Sequence, residues 1–294
     1  MPDLTAIAGT LQQTFTMSTP LLIAALGECV TQKSGVVNVG LEGMMLSGAF
    51  GATLATLWTG NPLIGVLAGA AVGILTGLLF AFVAVRLAAN QVVVGIVINL
   101  LAMGVTGTVY QRMFGRSETG LSTASLPHLV GDQTILFVLA LAAVPAVWWF
   151  LGRTRAGLDV RACGEQPLAA DAAGSNVYTI RIAACLFGGA MAGIAGASLS
   201  VGSSNTFVPE MTAGRGFIAL AIVTAGRWTP LGSLLAAVVF GFADALQYRA
   251  QSLGIHVPKD LLLAMPYIVT LAILTTGYGG RGGPAALGKP FRRQ

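Results

Sequence analysis

The chain has 294 residues, 55% of them hydrophobic and only 9% charged, with a formal net charge of +5. Its apolar residues fall into blocks long enough to cross a hydrocarbon layer of about 30 Å, which predicts an all-α, polytopic transmembrane helix bundle. That composition excludes a collagen-like or disordered chain, and it makes the basic excess a matter of membrane topology rather than nucleic-acid binding.

The first residues, Met1 to Thr16, lack a basic region followed by an apolar run and a cleavage site, so no removable signal peptide is expected. Apolar blocks lie at 17–32, 39–59, 62–86, 91–111, 133–151, 179–201, 213–227, 230–248 and 259–277. They give about nine candidate spans, of which 213–227 is barely long enough and reads as a half-helix that turns back. Residues 1–294 are taken as one transmembrane domain, with a polar loop over 152–178 inside it. The 39 glycines, scattered through the apolar blocks, are the residues that let helix backbones approach closely in lipid.

Between the first two blocks runs GECVTQKSGVVNVGLEGMMLSG, where Glu28, Lys33, Asn38 and Glu42 sit among helix-breaking glycines. Ionisable groups near hydrocarbon are costly and tend to face a cavity or a partner, so the segment reads as a discontinuous helix lining a translocation path. The competing reading is that Glu28 and Lys33 reach interfacial water while Glu42 ties helices together. Gln91 and Asn99, in the fourth block, offer amides either to a hydrogen-bonding solute or to a neighbouring helix. PLIGVLAGAAVG from Pro62 is echoed by PLGSLLAAVVFG from Pro230, a pair that fits either an inverted repeat or chance likeness between Gly/Ala-rich helices.

His128 and His256 have no partner at metal-ligand spacing, and Cys29, Cys163 and Cys185 read as small packing residues. Ser47 and Ser198 lie in small-residue helix contexts that suit interhelical hydrogen bonds rather than nucleophilic work. With no paired catalytic groups, no metal site and no P-loop, the chain is expected to be neither an enzyme nor a holder of ATP.

The loop over 152–178 carries RACGEQPLAADAAGSNVYTIR, Arg161 to Arg181. Pro167 suits a first helical position and Gly174 the left-handed position past the end, so about two turns of helix are expected between them. Isolated in water such a helix is marginal, and packing must hold it: either a partner protein or the membrane surface beneath its own bundle. Further on, SVGSSNTFVPEMTAGRG places Asn205, Phe207, Glu210 and Arg215 in a loop suited to a ligand or an extracytoplasmic protein, or to a plain solvated connection. The tail, with Arg281, Lys289, Arg292 and Arg293, fits a cytoplasmic C-terminus under the positive-inside rule. Counting back puts 152–178, Arg86 and Lys33 on that same side and 112–132 on the other, where Arg112 and Arg116 dissent.

These residues resemble a known family. The Arg161–Arg181 segment is similar to the coupling-loop signature R-A-x-G-E-x-P-x-A-A-x-x-A-G-I-x-V of permeases in bacterial ABC importers of the branched-chain amino acid and simple-sugar superfamily. Arg161, Gly164, Glu165, Pro167, Ala169, Ala170, Ala173, Gly174 and Val177 match, and Ser175 departs from the usual apolar residue. Gly27, Glu28, Gln32, Gly35, Asn38, Gly40, Glu42 and Gly43 resemble the nucleoside-uptake branch, as does the run from Asn90.

The resemblance implies a multi-pass permease of the bacterial inner membrane, with Arg161, Gly164, Glu165, Pro167, Ala170, Ala173 and Gly174 coupling it to a separate cytoplasmic ATPase that binds ATP and magnesium. It implies a second, related permease and an extracytoplasmic solute-binding protein or lipoprotein as further partners, with no cofactor in this chain. Glu28, Asn38, Glu42, Gln91, Asn99, Asn205 and Phe207 are the candidate pathway residues. The expected solute is a nucleoside, with a simple sugar such as ribose as the alternative. A gradient-driven carrier that uses Glu28 or Glu42 as its ion site is the competing mechanism.

Overall fold

A computed structural model describes residues 4–115, 121–130, 133–252 and 283–292. The block at 259–277 and Arg116, His256, Arg281 and Arg293 lie outside them. The helices are α1 (Leu4–Lys33), α2 (Leu41–Thr59), α3 (Pro62–Ala81), α4 (Gln91–Phe114), α5 (Ile135–Arg153), α6 (Arg155–Glu165), α7 (Pro167–Ala172), α8 (Val177–Ala197), α9 (Arg215–Ala225) and α10 (Pro230–Ser252). Wider π turns continue α3 over Phe82–Arg86 and α8 over Ser198–Ser203. Two small antiparallel ribbons close the loops: β1 (Leu121–Ser122) pairs with β4 (Thr206–Phe207), and β2 (His128–Val130) with β3 (Gln133–Thr134).

Every apolar block within the described residues becomes a helix, and the helix ends carry ordinary chemistry. Pro62 opens α3 behind Asn61, whose side chain accepts the Leu63 amide, and Asn90 accepts from Val92 and Val93 at the start of α4. Six helices among the described residues are long and apolar enough to cross a membrane, fewer than the nine spans expected. Two of the expected blocks fall short for physical reasons. α9 has only 11 residues, and α2 carries Glu42 and several glycines and threonines because it is enclosed by other helices rather than by lipid.

Small residues hold the core together. A Cβ on Gly73 would collide with the Gly189 carbonyl and one on Gly193 with the Gly69 carbonyl, so α3 and α8 are in backbone contact along their length. Large side chains point the other way: Leu67, Leu75, Val93, Leu100, Leu139 and Trp149 are exposed on the outer faces of α3, α4 and α5. That inversion is what a lipid-facing bundle requires, since exposed apolar stretches of this extent belong to no water-soluble surface.

The pairings are regular. α3 packs on α8, and α10 packs on α1; α2 packs on α8, and α9 on α1; α2 packs on α3, and α9 on α10. At one end of the bundle the break after α1, the end of α6 and residues 284–292 meet through hydrogen bonds. Away from that junction the loop after α4 pairs with the loop after α8.

Candidate functional site

Three polar regions interrupt the apolar bundle. The first is the non-helical break Ser34–Gly40, which is almost wholly buried. Backbone groups in such a place need partners, and side chains of α1 and α4 supply several of them. Gln91 Oε1 accepts the Val37 amide at 2.8 Å, Glu28 Oε1 accepts the Asn38 amide at 3.1 Å, and Asn99 both receives the Gly43 amide at 2.8 Å and donates to the Val39 carbonyl at 3.0 Å. Asn38 Oδ1 accepts from Gly40, and its amide donates to the Met44 sulfur. Four of the expected pathway residues, Glu28, Asn38, Gln91 and Asn99, are therefore brought together around one break, each tied to its backbone, while Glu28 Oε2 has no partner among the described residues. Gln32 extends the network, donating to Glu28 and accepting the Trp228 indole N–H at 2.6 Å. Glu42 crosses to another helix: its two oxygens accept the amides of Gly214 and Gly216 at 2.8 and 2.6 Å, placing a carboxylate on the amino end of α9.

The second region lies between α1, the π turn after α8, and the start of α9. One chamber, of about 450 Å³, is lined by Gln12, Gln13, Thr16, His128, Ser203 and Asn205. An adjoining chamber of about 220 Å³ shares Thr16 and Ser203 and adds Thr206, Arg215 and Tyr248, beside an apolar wall that includes Met17, Leu199 and Met211. No carboxylate is among the described lining residues of either. Asn205 stands at φ 51°, and Glu210, Ala213 and Gly214 of the same loop also have positive φ, a density of strained backbone typical of functional loops. Buried Asn205 Oδ1, Thr206 Oγ1 and Arg215 Nε find no hydrogen-bond partner among the described residues.

Phe207, expected beside Asn205, instead belongs to the core. It is fully buried against Phe50 and Tyr110, with ring centroids 5.0 and 5.7 Å away. A larger cavity of about 520 Å³ between α1, α5, α6 and α8 is lined by apolar side chains apart from Asp159 and offers a hydroxylated solute almost nothing. Gln12, Thr16, Ser203, Thr206 and Tyr248 were invisible as site residues in the sequence, because single polar residues of helices and a loop converge only in the fold.

The third region is the polar loop. Pro167 is the first residue of α7, which runs to Ala172, and Gly174 follows at φ 94°, as the spacing predicts. Ala170 is buried under the helix, while Leu168 is 56% exposed and Ala169, Ala173, Gly174 and Glu165 face outward. Arg161 is half-buried and donates to the Gly157 carbonyl. Gly164 has no room for a side chain, since a Cβ would strike the Lys33 carbonyl at the end of α1. Burial pushes the Cys163 thiol up to about 11 against the opposing pull of the Arg181 charge, so it is an inert packing group at neutral pH.

Arg181, which closes the signature segment, was not singled out in the sequence and is the best-connected residue here. Only 1% exposed, it donates to the Ser34 carbonyl at 3.1 Å, the Cys163 carbonyl at 3.3 Å and the Lys289 carbonyl at 3.0 Å. Ser34 and Cys163 lie at the carboxyl ends of α1 and α6, whose exposed carbonyls and negative dipole ends stabilise a buried guanidinium.

The comparisons agree with this architecture. Residues 10–274 match the family model described as branched-chain amino acid transport system / permease component. The chain is 38% identical to the putative glucose ABC transporter permease protein TsgC13 of Haloferax volcanii, covering 91% of each chain. It is 35% identical to the guanosine ABC transporter permease protein NupQ of Bacillus subtilis, over 95% of this chain and 94% of that one. With the nucleoside ABC transporter permease protein NupC of Lactococcus lactis subsp. cremoris it shares 33% identity over 92% of each. No solved structure matches the chain. The chain is thus a multi-pass membrane protein that belongs to the permease-component family of branched-chain amino acid transport systems.

Proposed function

We propose that the chain is the permease subunit of an ATP-driven importer for nucleosides. The observation that carries this reading is the pair of adjoining chambers walled mainly by hydroxyls and amides, with His128 and Arg215 and no carboxylate among the described lining residues. A nucleoside is neutral, with a hydroxyl-rich ribosyl group and a flat base, so it calls for hydrogen-bonding groups on one side and an aromatic or apolar wall on the other. Gln12, Thr16, Ser203 and Asn205 suit the ribosyl group; Tyr248, Met17 and Met211 suit the base. Taken together the two chambers have the scale of an ordinary small-molecule site, about 300–1,000 Å³. Glu42 ties α2 to the start of α9, whose Arg215 lines the path.

In this reading α7 docks into a cytoplasmic ATPase that holds ATP and magnesium, a second permease completes the path, and an extracytoplasmic binding protein delivers the solute. The C-terminus and the 152–178 loop face the cytoplasm. Three packing pairs support an inverted repeat: exchanging α1 with α8, α2 with α9 and α3 with α10 maps α3–α8, α2–α8 and α2–α3 onto the observed α1–α10, α1–α9 and α9–α10. Closure of the ATPase shifts the permease between two states only through contacts that differ between them.

Likeness to a putative glucose permease keeps a simple sugar as the second reading. The two are separated by competition: in proteoliposomes holding the assembled transporter, unlabelled nucleosides and not hexoses should suppress uptake of radiolabelled guanosine. Equal suppression by glucose or ribose would assign the chambers to sugars.

A further inference from the structure

The segment Gly283–Arg292 is placed where a tail has no need to be. Its Ala285 amide donates to Glu165 Oε2 at 3.3 Å, Ala286 to the Gly164 carbonyl at 2.9 Å, and Gly288 to the Gly35 carbonyl at 3.1 Å. Phe291 is buried against Tyr178 with ring centroids 5.2 Å apart, in a small cluster with Cys163, Ala170 and Val177. The Tyr178 ring in turn carries the Arg86 guanidinium, 5.6 Å from its centroid. Lys289 supplies the third carbonyl of Arg181. Ten residues thus touch the docking loop, the break before α2 and the start of α8 together.

Among the helices α7 packs on its neighbours α6 and α8, its Ala170 meets Phe291 of the segment, and the left-handed Gly174 follows it. A push on α7 reaches the break before α2 through the end of α6, and the junction there consists of Gly164 against Lys33, the three carbonyls on Arg181 and the tail that bridges Gly164 to Gly35. A planar guanidinium with donors pointing three ways fixes the relative positions of three backbone segments, which a point-charge amine does not. From this geometry, and resting on the ATP-driven reading above, we propose that Gly283–Arg292 is a working part of the coupling apparatus. Clamped by Arg181 as a positioning residue, it makes α6–α7 and the Ser34–Gly40 break move as one body, so that displacement of the docking helix reaches α2 and its Glu42 contact with α9.

The test uses the full transporter, with both permeases and the ATPase, in proteoliposomes, and reads solute taken up per ATP hydrolysed. Arg181→Gln and a chain ending after Leu287 should assemble and hydrolyse ATP while uptake per ATP falls about tenfold. Arg181→Lys should recover only part of the loss. Unchanged uptake per ATP in the truncated chain overturns the proposal, as does loss of hydrolysis in step with uptake, which would make the segment a docking surface alone. Failure of both the arginine variant and the truncated chain to insert would assign the junction to folding and likewise overturn it. Wild-type liposomes without ATP-dependent uptake would overturn the ATP-driven reading and this proposal with it, a result the uptake-per-ATP comparison does not mimic.

Discussion

Glu42, in the first turn of α2, accepts the Gly216 amide of α9 at 2.6 Å, so a carboxylate from one short helix caps the amino end of another. A charged hydrogen bond to a helix amino end combines two stabilising terms, and both are lost if the charge is removed. Glu42→Gln keeps one acceptor oxygen and leaves one amide of α9 without its partner. It should cost about 1–3 kcal/mol, read as a lowered melting temperature of the solubilised chain, while retention of the ATPase is unchanged. Full stability with lost uptake would show that Glu42 acts on the solute instead.

Glu28 separates the two transport mechanisms. Its Oε1 serves the Asn38 amide and Gln32, a role that a glutamine oxygen can fill, whereas Oε2 has no partner among the described residues. Glu28→Gln should therefore preserve uptake within about twofold, and Glu28→Ala should reduce the amount of folded chain in the membrane by orphaning the Asn38 amide. Abolished uptake in a normally folded Glu28→Gln chain would favour an ion-coupled carrier.

Leu168 is 56% exposed on α7. Leu168→Glu should leave insertion and thermal stability unchanged and eliminate co-purification of the ATPase, because a charge would replace the exposed apolar side chain of the proposed docking helix. Co-purification at the wild-type level would remove α7 from the interface.

The α3–α8 contact makes a prediction about folding alone. Gly73→Val must separate two backbones that touch, and overpacking of this kind costs about 1–3 kcal/mol or more. The variant should accumulate poorly and melt early, whereas Gly104→Val, at a position with nothing within 4 Å, should behave as wild type.

Asn205 probes the chamber with its backbone held constant. Its φ of 51° is one that glycine adopts freely, so Asn205→Gly removes the amide without strain. Half-maximal uptake should then need roughly threefold to tenfold more solute, the effect of one lost hydrogen bond, with the maximal rate preserved. An unchanged concentration dependence would take Asn205 off the path.

Much of this architecture could be read before any coordinates. Apolar runs fixed the helices because span length and hydropathy are local properties, and the Pro167–Gly174 pair marked α7 because both residues have narrow backbone preferences. Two kinds of feature resisted. The nine-span estimate counted the block at 39–59, but α2 is enclosed by other helices, which is set by packing and leaves a composition less apolar than that of the six helices long and apolar enough to cross a membrane. The chamber lining and the Arg181 junction depend on residues far apart in sequence, joined by backbone carbonyls that carry no sequence signature. The burial of Phe207 was hidden for the same reason, since only the fold shows Phe50 and Tyr110 enclosing it.

The central claim is that this chain moves a neutral solute only when an ATPase drives it. The direct measurement is uptake of radiolabelled guanosine into vesicles that hold both permeases, with and without the ATPase and with and without a protonophore. The account predicts uptake that requires the ATPase and ATP and is indifferent to the protonophore; uptake that persists without the ATPase and collapses when the gradient is discharged would contradict it.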